Sequence, residues 1–288
     1  VRFDEAFVRR LEKLRLVARW KVARGVLGAH RSSRRGTGAE LAGHRPYAPG
    51  DDWRRIDWNA FRRLERLYVT EREEETERSV VLVLDRSASM AEGGKLELAR
   101  ALVAALAHVA LAEGDTARVV AFSGEAAAAT PPRRGQGAIF ELLRFLEELE
   151  AAGRTDVAAA CREATRGPGR PGLAVLVTDF LDERPARDAL VTLARHGRDA
   201  VLVHVVAPTD EACSLDGARR LVDAETGEEL VLELDRRARE DYARAFADWT
   251  RGLEATARGL GATYVRVRSD QPLETVALSV LARARVLA

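Results

Sequence analysis

Asp85, Ser87 and Ser89 put three hard oxygen donors within five residues, where the apolar run SVVLVLD (79–85) ends. Further on, GRTD (153–156) offers Thr155, and VTD (177–179) offers Asp179. Such oxygens suit Mg²⁺ or Mn²⁺. Mg²⁺ takes about six of them and leaves several to water, so a few protein donors suffice. The bland alternative is that the serines cap backbone groups, Thr155 is a helix N-cap and Asp179 is a solvated acid. Three donor segments in order along the chain favour a metal cradle.

Other chemistries fit less well. GGK (93–95) suggests a phosphate loop, but that motif needs Gly where Ser89 stands and Ser or Thr where Leu96 stands. RGTGAEL carries two glycines of a dinucleotide fingerprint without the third, and no buried strand precedes it. An aspartyl-phosphate mechanism needs a second acid two residues after the first. Ser87 occupies that position, and no Lys follows Lys95. No G-x-S-x-G elbow is present, and His30, His44, His108, His196 and His204 lack paired spacing. His204, inside a strand pattern, reads as a core histidine. Cys161 and Cys213 lack metal-ligand spacing and read as buried thiols of a reducing cytoplasm.

The elements that must position the donors follow from periodicity. SVVLVLD and GLAVLVTDF (172–180) are continuous apolar runs, as in strands buried on both faces. Further strands are expected at 117–123, 199–206 and 262–268, with an edge strand in EAAAAT. Helices are expected at about 95–113, 137–150, 155–165, 185–196, 235–258 and 272–286. Strands alternating with such helices predict a doubly wound α/β fold, with a mainly parallel central sheet and helices on both faces. Ligands of open parallel sheets sit outside the strands' carboxyl ends, where Asp85 and Asp179 fall. A hairpin is expected near 219–234, with Thr226-Gly227 near its turn.

Upstream, Phe3, Phe7, Leu11, Leu14, Ala18 and Val22 recur at helical spacing. A Gly-, Ser- and Arg-rich stretch (29–52) then reads as ordered loop. Asp51 or Asp52 is expected to cap a short helix carrying Trp53, Ile56, Trp58 and Phe61, and LYVTEREEE reads as an exposed strand. Residues 1–78 thus form an extension packed on the main domain, 79–288. The first 70 residues hold 17 Lys or Arg against 8 acids, although the whole chain is +1. They lack aromatic interleaving on a recognised platform, so nucleic-acid binding is not favoured. No apolar run approaches the roughly 20 residues of a membrane span, and the expected location is the cytoplasm.

The constellation D-x-S-x-S, then a loop Thr, then Thr-Asp at a strand end resembles the von Willebrand factor type A domain. The resemblance implies a metal-ion-dependent adhesion site of Asp85, Ser87, Ser89, Thr155 and Asp179. It would hold Mg²⁺ with one coordination position open to a partner's acid. Phe180 stands where that family often has Gly. The upstream pattern, R-G-x-G-x-E at 35–40, Arg-x-Tyr-x-Pro-Gly-Asp-Asp at 45–52 and Arg-x-Ile-Asp-Trp around 54–58, resembles the bacterial "domain of unknown function 58" family. That family often accompanies MoxR-type AAA+ ATPases, so the resemblance implies an adaptor in maturing or remodelling other proteins. Arg45, Asp51, Asp52, Arg54, Asp57 and Trp58 are then candidates for a partner surface, or else packing with internal ion pairs. A metal-dependent hydrolase is the alternative, and the lack of a general base beside the cradle counts against it.

Overall fold

The computed structural model describes residues 5–7, 9, 11–12, 35–36, 40–48, 56–73, 79–124, 126–166, 172–181, 186–196 and 198–284. They fall into two compact units, one of residues 1–29 and 78–287 and one of residues 30–77.

In the smaller unit β1 (Arg35–Gly36), β2 (Glu40–Pro46) and β3 (Tyr68–Glu73) form an antiparallel sheet in the order β1-β3-β2. Strands β1 and β2 lie in the stretch expected to be loop. Their pairing with β3 is non-local, and a register shift between Leu41 and Gly43 breaks any alternation a sequence window would detect. Helix α1 (Trp58–Leu64) is capped by Asp57, whose carboxylate accepts from the N–H groups of Asn59 at 2.8 Å and Ala60 at 2.9 Å. It therefore starts at Trp58 rather than just after Asp51 or Asp52. Asp51, Asp52, Trp53 and Arg54 lie outside the described residues.

The larger unit begins its regular part with β4 (Ser79–Asp85), α2 (Lys95–Ala112), β5 (Thr116–Ser123), β6 (Ala126–Ala129) and β7 (Arg133–Arg134). Next come α3 (Ile139–Glu147), α4 (Val157–Ala164), β8 (Gly172–Thr178), α5 (Ala186–Arg195), β9 (Arg198–Val206) and α6 (Pro208–Glu211). The hairpin β10 (Gly217–Val222) and β11 (Glu229–Leu234), then α7 (Arg236–Gly259), β12 (Thr263–Arg268) and α8 (Leu273–Ala284), complete it. The seven-stranded sheet runs β12-β9-β8-β4-β5-β6, with β7 also on β5. The first five strands are parallel, and β6 and β7 pair antiparallel.

Alternate residues of β4 serve two cores, which explains its continuous apolar run. Val80, Leu82 and Leu84 join Leu102 of α2, Leu142 of α3 and Val276 of α8 on one face. Val81 and Val83 join Cys161 of α4, Leu193 of α5 and Ala257 of α7 on the other. The fold is the expected doubly wound α/β sheet. Since α2 leaves β4 toward one face and α5 leaves β8 toward the other, a crevice opens between the carboxyl ends of β4 and β8. That is the switch point where such sheets bind ligands. Among the described residues no helix is long and apolar enough to cross a membrane.

Candidate metal centre

Asp85 and Thr178 end the two strands that flank the crevice. The Thr178 hydroxyl donates to Asp85 Oδ2 at 2.5 Å, and the Ser87 N–H donates to Asp85 Oδ1 at 2.8 Å. Asp85 is fully buried. Burial, with Asp179 adding to it, pushes the Asp85 carboxyl up to about 7, against the lowering effect of the Thr178 and Ser87 hydrogen bonds. The chain after Asp85 is fixed by its neighbours. Arg86 N–H donates to Phe122 O at 3.0 Å, Ala152 N–H to Arg86 O at 2.8 Å, and Ala88 N–H to Gly153 O at 2.8 Å. These bonds lay the segments before Ser89 and before Thr155 side by side. Gly153 has φ +77°, and a Cβ there would lie 2.3 Å from Ser123 Oγ, so this crossing requires glycine.

The hydroxyls then meet. Ser87 Oγ and Ser89 Oγ are 3.0 Å apart. Ser89 Oγ donates to Glu225 Oε1 at 3.0 Å, and Thr155 Oγ1 donates to the same oxygen at 2.7 Å. The Thr155 N–H donates to Glu225 Oε2 at 3.0 Å. Ser87, Ser89 and Thr155 are buried, so little water reaches this chain of oxygens. Among the described residues no three His, Cys, Asp or Glu side chains group as a metal site, and the donors here are mainly hydroxyls. Cis oxygens of an octahedral Mg²⁺ lie about 3 Å apart when each is about 2.1 Å from the ion. The Ser87–Ser89 and Ser89–Glu225 separations lie at that spacing, which ordinary O–H···O hydrogen bonds share, and it is the donor set, three hydroxyls beside carboxylates, that is compatible with a small divalent cation.

Asp179 is held differently. Its Oδ2 accepts from Lys95 Nζ at 2.8 Å and its Oδ1 from the Leu181 N–H at 3.2 Å. Lys95 Nζ also lies 3.4 Å from Asp210. Burial works against the Lys95 charge, yet Asp179 and Asp210 outweigh it and hold its pKa above the ordinary value. Phe180 sits at φ 57°, a conformation that favours Gly, with its N–H on Thr178 Oγ1 at 3.0 Å. Its ring packs edge-on against His204, whose Nδ1 lies 2.6 Å from the Tyr264 hydroxyl. His204 is thus a satisfied core histidine, and burial pushes it down to about 4.

Of the sequence candidates, the structure brings Asp85, Ser87, Ser89 and Thr155 together, with Asp179 alongside but turned to Lys95. Asp156, rather than Thr155, caps α4, accepting from the Ala159 N–H at 2.8 Å. The donor segments read from the sequence do not include Glu225, which the turn of the hairpin brings to the hydroxyls. Its contacts span 136 residues to Ser89 and 70 to Thr155, beyond the reach of any sequence window. Lys95 was visible in GGK but only as a failed phosphate loop. Among the candidate partner residues, Arg45 lies in β2, Asp57 is occupied in capping, and Trp58 is exposed with its ring edge-on to Phe61.

Fold and site together define a doubly wound α/β protein with a hydroxyl-rich oxygen cradle at its switch point. The chain belongs to the family described as "Protein of unknown function DUF58", which it matches over residues 43–251. An uncharacterised protein of Mycobacterium tuberculosis is 30% identical over 279 residues, covering 93% of this chain and 86% of that protein. One from Mycobacterium avium is 31% identical over 145 residues, covering 49% of this chain and 85% of that protein. Among solved structures, the conserved hypothetical protein BatB from Bacteroides thetaiotaomicron matches with TM-score 0.44 at 19% identity, over 72% of this chain and 98% of that one. Proximal thread matrix protein 1 from the mussel byssus, with a zinc-occupied MIDAS motif, matches with TM-score 0.41 at 12% identity, over 71% of this chain and 47% of that one.

Proposed function

We propose that the protein is a non-enzymatic interaction module of the von Willebrand factor A type, with a cradle that holds Mg²⁺ or Mn²⁺ and engages an acidic residue of a partner. The observation that carries this reading is the run of oxygens from Ser87 to Ser89 and, through the shared Glu225 Oε1, to Thr155. Ser87, Ser89 and Thr155 would supply hydroxyl oxygens, while Asp85 orients them and balances charge from beneath. Asp179 would act at one remove, since Lys95 already holds it. The bound ion would supply an electrophilic position for a carboxylate. A MoxR-type AAA+ ATPase is the proposed associate, with an acidic client protein as the bound partner. A hydrolytic role draws little support from Asp85, which is fully buried with both oxygens engaged and so is not presented as a nucleophile.

Calorimetric titration with Mn²⁺ tests the cradle. Wild type should bind one ion, Asp85→Asn none, and Thr155→Ala should bind roughly 10-fold more weakly or worse, as for other losses around a metal. Losing the charge of Asp85 leaves the Ser87 N–H and Thr178 hydroxyl with a poorer acceptor, at a cost of about 1–3 kcal/mol. Circular dichroism should therefore still report a folded variant. Equal Mn²⁺ affinity in wild type and Asp85→Asn would overturn the reading.

A further inference from the structure

Glu225 brings an acid of the chain itself onto the hydroxyls of the cradle. It stands in the turn between β10 and β11, and three donors from two distant segments converge on its carboxylate: Ser89 Oγ, Thr155 Oγ1 and the Thr155 N–H. All three donors are neutral, and among the described residues no Lys or Arg pairs with Glu225. A carboxylate beside hydroxyl oxygens completes the kind of all-oxygen set that a hard divalent ion takes.

The turn is shaped to present this side chain. Asp223 Oδ1 accepts from the Glu225 N–H at 2.9 Å and the Thr226 N–H at 2.6 Å, and Gly227, at φ 74°, donates its N–H to Asp223 O at 2.9 Å. The arm that carries the turn is weakly anchored along its length. Of the six residues in each strand only Leu234 is buried, while Val222, Leu230 and Val231 are more than half exposed. An isolated two-stranded hairpin is marginally stable, so its tip contact can open at modest cost.

Charge gives the contact a direction. Lys95 balances the Asp179–Asp210 side of the crevice, which leaves Asp85 as the acid beneath the hydroxyls. With Glu225 in place, a divalent ion would be neutralised by two carboxylates. With Glu225 withdrawn, the ion would keep a net positive charge and an open position. We propose that Glu225 is an intramolecular ligand of the cradle, and that the β10–β11 arm is a built-in competitor which an acidic partner must displace. The inference rests on the metal-cradle reading and adds the regulation of that site. A competitor on a short ordered arm acts at an effective concentration on the order of millimolar or above, so a weak free carboxylate does not displace it.

The probe is Mn²⁺ alone, followed by water-proton relaxation, which reads exchangeable water on the bound ion, and then acetate. Glu225→Ala should bind Mn²⁺ roughly 10-fold more weakly than wild type. Its bound ion should carry more exchangeable water, and acetate should lower the relaxation signal of the variant while leaving wild type unchanged. Glu225→Gln, which keeps the size of the side chain, should shift in the same direction if Ala disturbs the turn. Mn²⁺ bound with equal water and equal acetate response in wild type and both variants would overturn the inference and leave the cradle standing. Failure of wild type to bind Mn²⁺ would remove the cradle and the inference together.

Discussion

Lys95 is the residue on which the charge of the crevice turns. It is almost fully buried, and its ammonium lies 2.8 Å from Asp179 and 3.4 Å from Asp210. A buried lysine is tolerated only when its partners make up for lost hydration, and here two acids do so. Those acids depend on it equally. Lys95→Met, which fills similar volume without charge, should leave two carboxylates facing each other with no cation and cost about 3–5 kcal/mol, as for other buried pairs broken from one side. Urea denaturation checks this, and an unchanged midpoint would mean that the pair is not formed in solution. The same residue shows where sequence reading stops. GGK reports a Lys at a helix start, but its acids lie just past the end of β8 and on α6, brought there only by the crossover of the sheet.

At the scale of elements, the loop before α4 positions one of the three cradle hydroxyls, that of Thr155. Gly153 lets it cross beneath Ser123 and accept the Ala88 N–H, which sets Thr155 beside Ser89. Gly153→Ala combines left-handed φ with a Cβ driven to 2.3 Å from Ser123 Oγ. The conformational strain alone is about 1–2 kcal/mol, and the Ser123 hydroxyl must also turn away from Ala152 O to make room, so the expected loss is at least about 1–2 kcal/mol, with weaker Mn²⁺ binding. A variant as stable as wild type, measured by urea denaturation, would show that the loop relaxes freely. The parallel core was legible in advance because β4 and β8 are buried on both faces and read as unbroken apolar runs. Strand β2 was not, since its partner β3 lies beyond a helix and its pairing is interrupted at Leu41–Gly43. Helix α1 was legible as a helix but not in its start, because Asp57 caps as well as Asp51 or Asp52 would. Asp85, Ser87, Ser89 and Thr155 can be grouped as candidates from chemistry and order alone, whereas Glu225 joins them only through the hairpin folded back onto them.

At the scale of the molecule, the start of the chain belongs to the α/β unit and not to the small antiparallel sheet. Residues 1–29 group with 78–287, and Phe7 and Leu11 are buried in the core that holds α2, α3 and α8. Their spacing of four places both on one helix face, while Glu5 and Arg9, 2.5 Å apart, lie exposed. At Phe7 and Leu11 the helical spacing therefore marks a piece of the main core that precedes the small unit in the chain, while Phe3, Leu14, Ala18 and Val22 lie outside the described residues. Leu11 is only 1% exposed, so Leu11→Ala should open a cavity and cost about 2–5 kcal/mol. Against a total stability of about 5–15 kcal/mol, that is a large fraction for a residue more than 60 positions from the nearest central strand. Glu12, exposed one residue later, is the control: Glu12→Ala should stay within about 0.5 kcal/mol of wild type. Urea denaturation followed by circular dichroism separates the two. If both variants unfold with wild type, the first helix does not contribute to the core; if Leu11→Ala alone shifts, the central sheet needs the N-terminal segment to be stable.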